Sequence, residues 1–427
     1  MSALSLLSAE ASLTHSRTHA LTHAPSCANA QKPAPAAAAV PEKAQCIQPP
    51  PTPLALVDGA QLEGGGQILR NASALAVILG VPVRVHSIRA GRDKPGLRPQ
   101  HLTGLQLIAR LSGGSLQGGA VGSSDMTLTP GKLVAGTHTG DTGTAGSVVL
   151  LAQSVLPCLL FARGAAESTV ELRGGTDAAM APPIDFLTSV LLPTLQRRLG
   201  VSASAHVSRR GFYPKGGGQV TLRATALAPG TTLPALALHS RGTVTAIRCT
   251  AFTAGNTPRD VAQRMANSAR GALPADMAAL LRVTVTHESP ARALGNGCGI
   301  TLVAETDSGC LLGASALGER GRSAEEVGTN AGRVLADALA SGACVDEHTA
   351  DQLIIFAALA RGTSRMLAPA PLTLHARTAM AVASQLTAAR FAVLEAGHTD
   401  ASQGVVVPPG ACLVVCEGAG LAAPDEA

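Results

Sequence analysis

The sequence predicts an α+β fold in which a large domain with repeated segments is interrupted by a smaller α+β domain. A helix–strand–loop pattern occurs twice at an offset of 120 residues, once around Gly80 and once around Gly200. Residues 237–342 follow a different order of predicted elements, β-α-β-β-β-α, and the chain then resumes its earlier style. The length of 427 residues also favours more than one compact domain.

The first strongly patterned stretch is residues 58–70, DGAQLEGGGQILR. Gly64, Gly65 and Gly66 stand between an apolar run, LALVDG, and a segment with helical spacing, ILRNASALAVILG. We therefore expect the glycines to end a strand and to begin a helix, whose unpaired N–H groups would suit a phosphate. The pattern is neither of the common nucleotide-binding motifs, so a tight turn without a ligand is the alternative.

A basic loop is predicted within residues 87–103, SIRAGRDKPGLRPQHLT. Its prolines and glycine disfavour a helix, so its cations are expected on a shaped loop. Guanidinium groups beside a glycine-rich turn can hold phosphate oxygens in a bidentate fork, whereas the alternative is an ordinary solvated face. The cations are Arg89, Arg92, Lys94 and Arg98, and Gln100 and His101 follow them.

The later segments alternate between helix and strand signals. Residues 101–113 are predicted as helix, short strands follow to residue 130, and small residues open an apolar helix in GTAGSVVLLAQSVLPCLLFA. Pro182 and Pro183 are predicted at a helix start, where proline is tolerated. Strands of the insert are predicted in TVTAIRCTAFTAG, LRVTVTHES, GITLVAET and CLLGASALG, and its helices in RDVAQRMANSARGAL and SAEEVGTNAGRVLADALASG.

The composition restricts both the core and the range of functions. Hydrophobic residues make up 46% of the chain but aromatic residues only 2%, so aliphatic side chains and alanine must form the core. RNA recognition by rings spread across an open sheet is disfavoured, while the net charge of +5 is compatible with a polyanionic ligand. The nine cysteines contain no CxxC pair and fit reduced thiols. No apolar run is long and clean enough to span a bilayer, so no membrane partner is expected.

Residues 1–53 differ from the rest of the chain. They are rich in alanine, proline, serine, threonine and histidine and contain only Glu10 and Glu42 as acids. Such a composition predicts an N-terminal extension without a packed core. Because its first residues are serine-rich and poor in acids, an organelle transit peptide is a second interpretation.

His375 lies between a proline-containing segment and an apolar-periodic helix, in APAPLTLHARTAMAVASQL. The partial positive charge at the start of a helix disfavours a protonated imidazolium, so the histidine ring is expected to be neutral and able to act as a nucleophile. The same helix terminus would attract a phosphate. On the residues alone, a capping or surface histidine is the alternative.

Six motifs in the same order resemble the RNA 3′-terminal phosphate cyclase family. The resemblance covers the chain from about residue 54 onward, and it implies a large domain of repeated units, each a sheet with two helices, and a smaller inserted domain. The corresponding boundaries are 54–236 and 343–427 for the large domain and 237–342 for the insert. The motifs are DGAQLEGGGQILR, SIRAGRDKPGLRPQHL, GTAGSVVLLAQSVLP, GGTDAAMAPPIDF, RRGFYPKGGG and ADQLIIFAALA.

The resemblance also implies a three-step reaction with ATP on an RNA that ends in a 3′-phosphate. His375 would attack the α-phosphate of ATP and hold AMP through a phosphoramidate, after which AMP would pass to the RNA 3′-phosphate. The neighbouring 2′-hydroxyl would then attack, release AMP and leave a 2′,3′-cyclic phosphate. A divalent cation, Mg²⁺ or Mn²⁺, would assist at the triphosphate.

The remaining site residues are assigned by the same resemblance. Glu63 would hold the divalent cation. The residues expected to bind phosphate or RNA are Arg70, Arg89, Arg92, Gln100 and His101. The residues expected to line the nucleotide site are Gln153, Pro182, His348, Asp351 and Gln352. His348 departs from the family pattern, which often has tyrosine there, but an imidazole can still stack on adenine with a smaller area.

Two other functions are weighed against this one. The first is a catalytically inactive cyclase-like protein acting in ribosomal RNA processing, and such relatives lack the histidine that this chain has. The second is a small-molecule transferase of similar repeated architecture, which would form no covalent nucleotide adduct. The resemblance implies a nuclear location, and the N-terminal extension leaves an organelle as the alternative.

Overall fold

The computed structural model describes residues 53–164 and 166–425, so the predictions made for residues 1–52 lie outside the described part. The first unit has the order β-α-β-α-β-β and a four-stranded sheet in the order β1-β2-β4-β3. Its elements are β1 (Ala55–Asp58), α1 (Gly66–Leu79), β2 (Val83–His86), α2 (Pro99–Leu111), β3 (Ser115–Gln117) and β4 (Met126–Thr129).

The second unit repeats this arrangement, and its sheet has the order β5-β6-β8-β7, extended beside β7 by a short fifth strand from the insert, β12 (Ala293–Leu294). Its crossover between the second and third strands is a helix with a π-helical turn in the middle, at Leu187–Leu191. Its elements are β5 (Thr137–Asp141), α3 (Val148–Leu160), β6 (Glu167–Gly174), α4 (Ile184–Phe186), α5 (Leu192–Leu199), β7 (Ala203–Gly211) and β8 (Gly218–Thr225).

The inserted segment forms a sheet with a different order, β11-β10-β13-β14. It has the predicted β-α-β-β-β-α sequence of main elements, with one short helix and one short strand that the sequence did not indicate, α7 and β12. Before it lies β9 (Ala237–Leu238). The insert contains β10 (Val244–Ala254), α6 (Asp260–Gly271), α7 (Ala275–Ala279), β11 (Leu281–Glu288), β12 (Ala293–Leu294), β13 (Gly297–Thr306), β14 (Leu311–Leu317) and α8 (Ala324–Ala340).

The third unit completes the repeat with a sheet in the order β9-β15-β19-β16. Its first strand precedes the insert, because Ala237–Leu238 pairs with β15 in parallel. The predicted domain boundaries themselves stay predictions. The elements after the insert are α9 (Glu347–Leu359), β15 (Arg361–Pro369), α10 (Leu374–Leu386), β16 (Arg390–Leu394), β17 (Thr399–Asp400), β18 (Val405–Val406) and β19 (Ala411–Ala419).

The predicted α+β fold is therefore confirmed, but the predicted repeat at an offset of 120 residues is wrong. That offset equates β2, the second strand of the first unit, with β7, the third strand of the second. Both strands follow a helix that ends at a glycine in the left-handed region, Gly80 with φ of 66° and Gly200 with φ of 67°. The similarity reflects a common way to end a helix rather than the repeat of the fold.

The repeat places one edge of each sheet at the start of helices. The first two strands of each unit are parallel, so their carboxyl ends lie at the same edge, and the helices begin just beyond it. The predicted residues follow these strand ends or lie in the first two helical turns. Glu63 follows β1, Arg89 and Arg92 follow β2, Pro182 follows β6, and His375 follows β15.

A buried arginine joins the second unit to the insert. The Arg210 guanidinium in β7 pairs with Asp177 at 3.3 Å, with Asp185 at 2.8 Å and with Glu288 at the end of β11 at 3.2 Å. It also lies 4.0 Å from the ring centre of Phe252 in β10. Burial raises the pKa of Asp177 to about 6, although Arg210 opposes the shift. This cluster fixes the segment that carries Pro182 against the insert.

The core is aliphatic, as the composition requires, and the fully buried large side chains are mainly leucine and isoleucine with Phe161, Phe186 and Phe252. Cys412 and Cys416 are buried in β19. In the part of the chain that the structure describes, no cluster of three metal-binding side chains is found. Within the same residues, none of the helices combines the length and apolar character needed to cross a bilayer.

Candidate active site

The glycine turn after β1 leads into Gly66, which lies close to the side chains of His101 and Arg70. A Cβ atom on Gly66 would lie 2.7 Å from Nε2 of His101 and 3.1 Å from Nη1 of Arg70. The turn bends through the left-handed region at Leu62, with φ of 49°, and at Gly64, with φ of 59°. The N-cap residue of α1 is Gly65, and no side chain caps this end. The first N–H groups of α1 are therefore free of a capping side chain beside two predicted phosphate ligands.

Glu63 lies in this turn with its side chain largely buried, at 10% exposed. Its Oε1 pairs with the Arg92 guanidinium, while its Oε2 is buried with no hydrogen-bond partner among the described residues. A buried carboxylate oxygen without a partner is costly, and a hard divalent cation would satisfy it. The donor set thus fits the predicted cation.

The structure gives the two arginines of the basic loop different roles. Arg92 reaches the glycine turn, where it donates to the Glu63 carbonyl oxygen at 2.8 Å and to the Gly64 carbonyl oxygen at 3.4 Å. Arg89 turns back into its own loop, where its Nη1 donates to the Lys94 carbonyl at 2.6 Å and the Gly96 carbonyl at 3.0 Å. Arg89 therefore braces the loop, and Arg92 ties the loop to Glu63.

The start of α2 presents a histidine with a defined proton. Nδ1 of His101 accepts the Arg98 backbone N–H at 3.2 Å. Burial, together with the charges of Arg89, Arg70 and Arg98, lowers the pKa of His101 to about 3. The ring is therefore neutral at physiological pH, and because Nδ1 accepts, Nε2 carries the proton. His101 thus offers a neutral N–H donor beside Gly66.

Gln100 connects two helix starts. Its Oε1 accepts the backbone N–H of Ser147, the N-cap of α3, at 2.7 Å. The carbonyl end of Gln100 is thus used within the protein. The role of Gln100 as a phosphate or RNA ligand stays a prediction. Because its Oε1 is occupied, the ligand would be bound by the N–H groups of its side-chain amide.

Arg70 lies between two cavities. The first cavity is lined by Arg70, Gln100 and His101 together with Gly66 and Ser154. The second is lined by Arg70, Gln153 and Gln352, and also by Gln67, Asn71, Leu156, Leu191, Ile355 and Phe356. Arg70 thus lines one cavity with two of the predicted phosphate ligands and a second cavity with two of the predicted nucleotide ligands.

The second cavity contains an unpaired acceptor. Nε2 of Gln352 donates to the His348 carbonyl at 2.8 Å, but its Oε1 is buried with no partner among the described residues. Burial raises the pKa of the neighbouring Asp351 to about 8, although the charge of Arg70 opposes the shift. An unpaired acceptor and a carboxyl with a raised pKa are suited to the donors and acceptors of a nucleobase or a ribose.

His348 and Pro182 lie at the outer side of this region. The His348 ring packs edge-on against Phe186 of α4, with ring centres 5.8 Å apart and an interplanar angle of 85°. Its side chain is 44% exposed, so surface remains for contact with a flat ligand. Pro182 is partly buried just before Pro183, the N-cap of α4. Pro182 is connected to the other predicted residues through the start of α4, where Phe186 contacts His348.

His375 is the second residue of α10, whose N-cap is Thr373. Burial lowers the pKa of His375, and the charges of Arg70, His348 and Arg92 also lower it, whereas that of Glu63 raises it. The ring is thus neutral, as predicted, and a neutral imidazole keeps a lone pair for nucleophilic attack. These charge effects show that the glycine turn, the basic loop, α9 and α10 meet at this histidine.

Sequence reasoning missed three residues in this region. Gln67 accepts from the Arg70 guanidinium at 2.5 Å, and Asn71 lines the second cavity. Buried Thr378 accepts the Glu63 backbone N–H at 3.1 Å and donates to the Leu374 carbonyl at 2.6 Å. The contact of Gln67 with Arg70 could have been predicted, because Gln67 precedes Arg70 by one helical turn in an otherwise apolar run. No feature of the sequence indicates that Thr378 bonds Glu63.

Comparisons with known proteins give a consistent result. Residues 61–393 match the family model described as RNA 3′-terminal phosphate cyclase. A protein named RNA 3′-terminal phosphate cyclase from Pyrobaculum neutrophilum is 40% identical over 343 residues, which cover 80% of this chain and 95% of the relative. A protein of the same name from Drosophila melanogaster is 38% identical over 368 residues, covering 85% and 96%. A Dictyostelium discoideum protein named as a probable cyclase is 38% identical over 341 residues, covering 79% and 77%.

Proposed function

The chain belongs to the RNA 3′-terminal phosphate cyclase family, and we propose that it cyclises RNA 3′-phosphates with ATP through a covalent histidine–AMP intermediate. The observation that carries the mechanism is the position of His375. The ring is neutral, lies at the start of α10 and is subject to the charges of Glu63, Arg70 and Arg92.

The first step is adenylation of the protein. The lone pair of His375 attacks the α-phosphorus of ATP, a nitrogen–phosphorus bond forms, and the bond to the β-phosphate oxygen breaks with release of pyrophosphate. Arg70 and Arg92 supply positive charge, and His101 supplies an N–H donor, so negative charge that develops on the phosphate oxygens is stabilised. The lowered pKa of His375 helps, because it disfavours protonation of the ring.

The second and third steps act on the RNA. An oxygen of the RNA 3′-phosphate attacks the same phosphorus, and the bond to His375 breaks, giving an RNA with an activated 3′ end. The neighbouring 2′-hydroxyl then attacks the 3′-phosphate, loses its proton and releases AMP, which leaves the 2′,3′-cyclic phosphodiester. Orientation of the reacting groups is the main contribution the protein can make here.

The nucleotide and the cation are assigned by the donor sets. Gln153, Asp351 and Gln352 would hold the nucleoside, because Gln153 and Gln352 line the second cavity, Oε1 of Gln352 is unpaired among the described residues, and the neighbouring Asp351 has a raised pKa. His348 would offer its exposed ring surface. Glu63 would hold Mg²⁺ or Mn²⁺ through its unpaired Oε2, and the ion would supply neutralising charge at the triphosphate.

The test is transfer of label from α-labelled ATP to the protein, resolved on a denaturing gel, together with cyclisation of an RNA that bears a 3′-phosphate. We expect His375→Ala and His375→Asn to lose both activities, because neither side chain provides the imidazole nucleophile. His398→Ala is the matched control, since His398 is exposed and, among the described residues, its ring bonds only the Glu395 carbonyl, at 3.0 Å. Labelling of His375→Ala at the wild-type level would disprove the assignment. An unlabelled wild-type protein that also fails to cyclise RNA would instead indicate the inactive cyclase-like function.

A further inference from the structure

The hairpin between β7 and β8 contains the motif RRGFYPKGGG, to which the mechanism above gives no role. Its tip consists of Tyr213, Pro214 and Lys215, all exposed, and Tyr213 is 83% exposed. The flanking Phe212 and Gly216 are buried. An exposed aromatic ring held between buried anchors is unusual in a chain with one tyrosine, six phenylalanines and no tryptophan.

The hairpin is held in a fixed shape. The Gly216 N–H donates to the Phe212 carbonyl at 2.8 Å, and Nε of Arg209 donates to the Gly217 carbonyl at 3.0 Å. Gly216 has φ of 67° and packs so closely on the backbone of Thr144 and Ala145 that a Cβ atom would overlap it. The ring of Tyr213 is therefore presented from a rigid support, which lowers the entropic cost of binding.

This support is continuous with the candidate active site. Thr144 and Ala145 lead directly into Ser147, the N-cap of α3, whose N–H is bound by Gln100. Gln100 in turn lines the cavity that contains His101 and Arg70. Because β7 runs parallel to β6 through their shared neighbour β8, the hairpin tip also lies at the sheet edge where α3 begins. The base of the hairpin is thus joined to the site through Thr144, Ser147 and Gln100, and the tip lies at the same sheet edge.

We propose that Tyr213 and Lys215 form a docking surface for the single-stranded RNA that precedes the terminal phosphate. The inference rests on the cyclase function, which requires such a strand to leave the site. A base can stack on the Tyr213 ring, since every base has a π-face, and the Lys215 ammonium can contact a backbone phosphate. A free aromatic face beside a cation, on a support that reaches the phosphate cavity, fits this ligand better than an apolar protein surface.

The composition of the chain supplies a direct probe. Tyr213 is the only tyrosine and there is no tryptophan, so the intrinsic tyrosine emission of the full chain reports on this residue alone. We expect a short RNA oligonucleotide with a 3′-phosphate to quench this emission, and the same oligonucleotide with a 3′-hydroxyl to quench it as well. A single nucleoside 3′-phosphate should not quench it, because it has no preceding base.

Variants test the same surface through catalysis. Tyr213→Ala should raise KM for the oligonucleotide about 5- to 100-fold, the range expected for loss of one stacked base, with the effect on KM rather than kcat. Tyr213→Phe should restore KM, because it keeps the ring. Val406→Ala, at an exposed apolar residue of the third unit, is the matched control and should leave KM unchanged.

Several outcomes would overturn the inference. One is unquenched emission at RNA concentrations that support cyclisation, and another is an unchanged KM in Tyr213→Ala. Emission that changes with protein concentration instead of RNA would show that the tip contacts a second copy of the chain. Failure of the histidine mechanism is seen separately, as absence of labelling of the wild-type protein by ATP, and it would not affect the quenching experiment.

Discussion

Replacing Arg89 by alanine separates two roles that the sequence could not distinguish. The change removes the hydrogen bonds from its Nη1 to the carbonyl oxygens of Lys94 and Gly96. Each such bond contributes about 0.5–1.5 kcal/mol net. Lys94 is exposed, so water replaces one of them, and we expect a loss of unfolding free energy of about 1–2 kcal/mol in total. The melting temperature should fall by roughly 1–3 °C, because the entropy of unfolding of a chain of this size is about 0.8 kcal/mol/K.

If Arg89 also holds phosphate, a second loss should appear in the rate of adenylation. A charge-assisted hydrogen bond is worth about 1.5–3 kcal/mol, which corresponds to a fall of about one to two orders of magnitude. Arg92→Ala should show a similar fall, and Arg92→Lys only partial recovery, because an ammonium cannot reproduce the bidentate fork. Arg84→Ala is the control, since Arg84 is an exposed arginine of β2 paired with Asp125 at 2.9 Å.

The assay combines the single-turnover adenylation rate with thermal unfolding for each variant. A rate loss in Arg89→Ala that disappears when the assay temperature is lowered would mean that bracing of the loop explains the whole effect. Near-normal rates in Arg89→Ala, Arg92→Ala and Arg92→Lys would show that the basic loop does not hold phosphate and is an ordinary solvated surface. A melting temperature of Arg89→Ala equal to that of wild type would refute the bracing role.

Two further predictions concern buried groups of the site. Thr378→Val removes the hydroxyl that accepts the Glu63 amide, so it should slow adenylation about tenfold and expose this amide to hydrogen exchange. Thr378→Ser should restore both the rate and the protection. A Glu63 amide that stays protected in Thr378→Val would contradict the role. Because burial raises the pKa of Asp351 to about 8, the folded protein retains a proton that the unfolded chain loses, so wild-type stability should decline between about pH 4 and pH 8. Asp351→Asn should flatten this decline in a series of melting temperatures, and parallel curves for the two proteins would contradict it.

The helices and longer strands followed from the sequence because their apolar spacing and flanking glycines act locally. The glycine turn, the helix start at His375 and the order of elements in the insert were predicted in this way. The repeat was misjudged for the same reason. A left-handed glycine after a helix and before a strand is a local pattern, so it occurs at Gly80 and Gly200 although these positions are not equivalent in the two sheets.

The contacts between distant segments could not be predicted. The bond from Glu63 to Thr378 joins residues 315 positions apart, and neither residue type indicates its partner. Arg89 also illustrates this point, because its φ of 53° turns it toward its own loop, and no pattern in the sequence requires that conformation. The motifs identified which residues to consider, whereas the division of labour between Arg89 and Arg92 depends on the conformation of the loop.

The threefold repeat explains why a single arginine can serve both sides of the site. Each unit places helix starts beyond the carboxyl ends of parallel strands, so α1, α3, α9 and α10 bring their first turns to one region. Arg70 is one turn into α1, and the charges of both Asp351 and Glu63 act on it. Burial lowers the pKa of Arg70, and these two acids oppose that shift, so the guanidinium remains charged in a region poor in water. A cation held in this way can neutralise a phosphate that binds beside these helix starts without reorganisation.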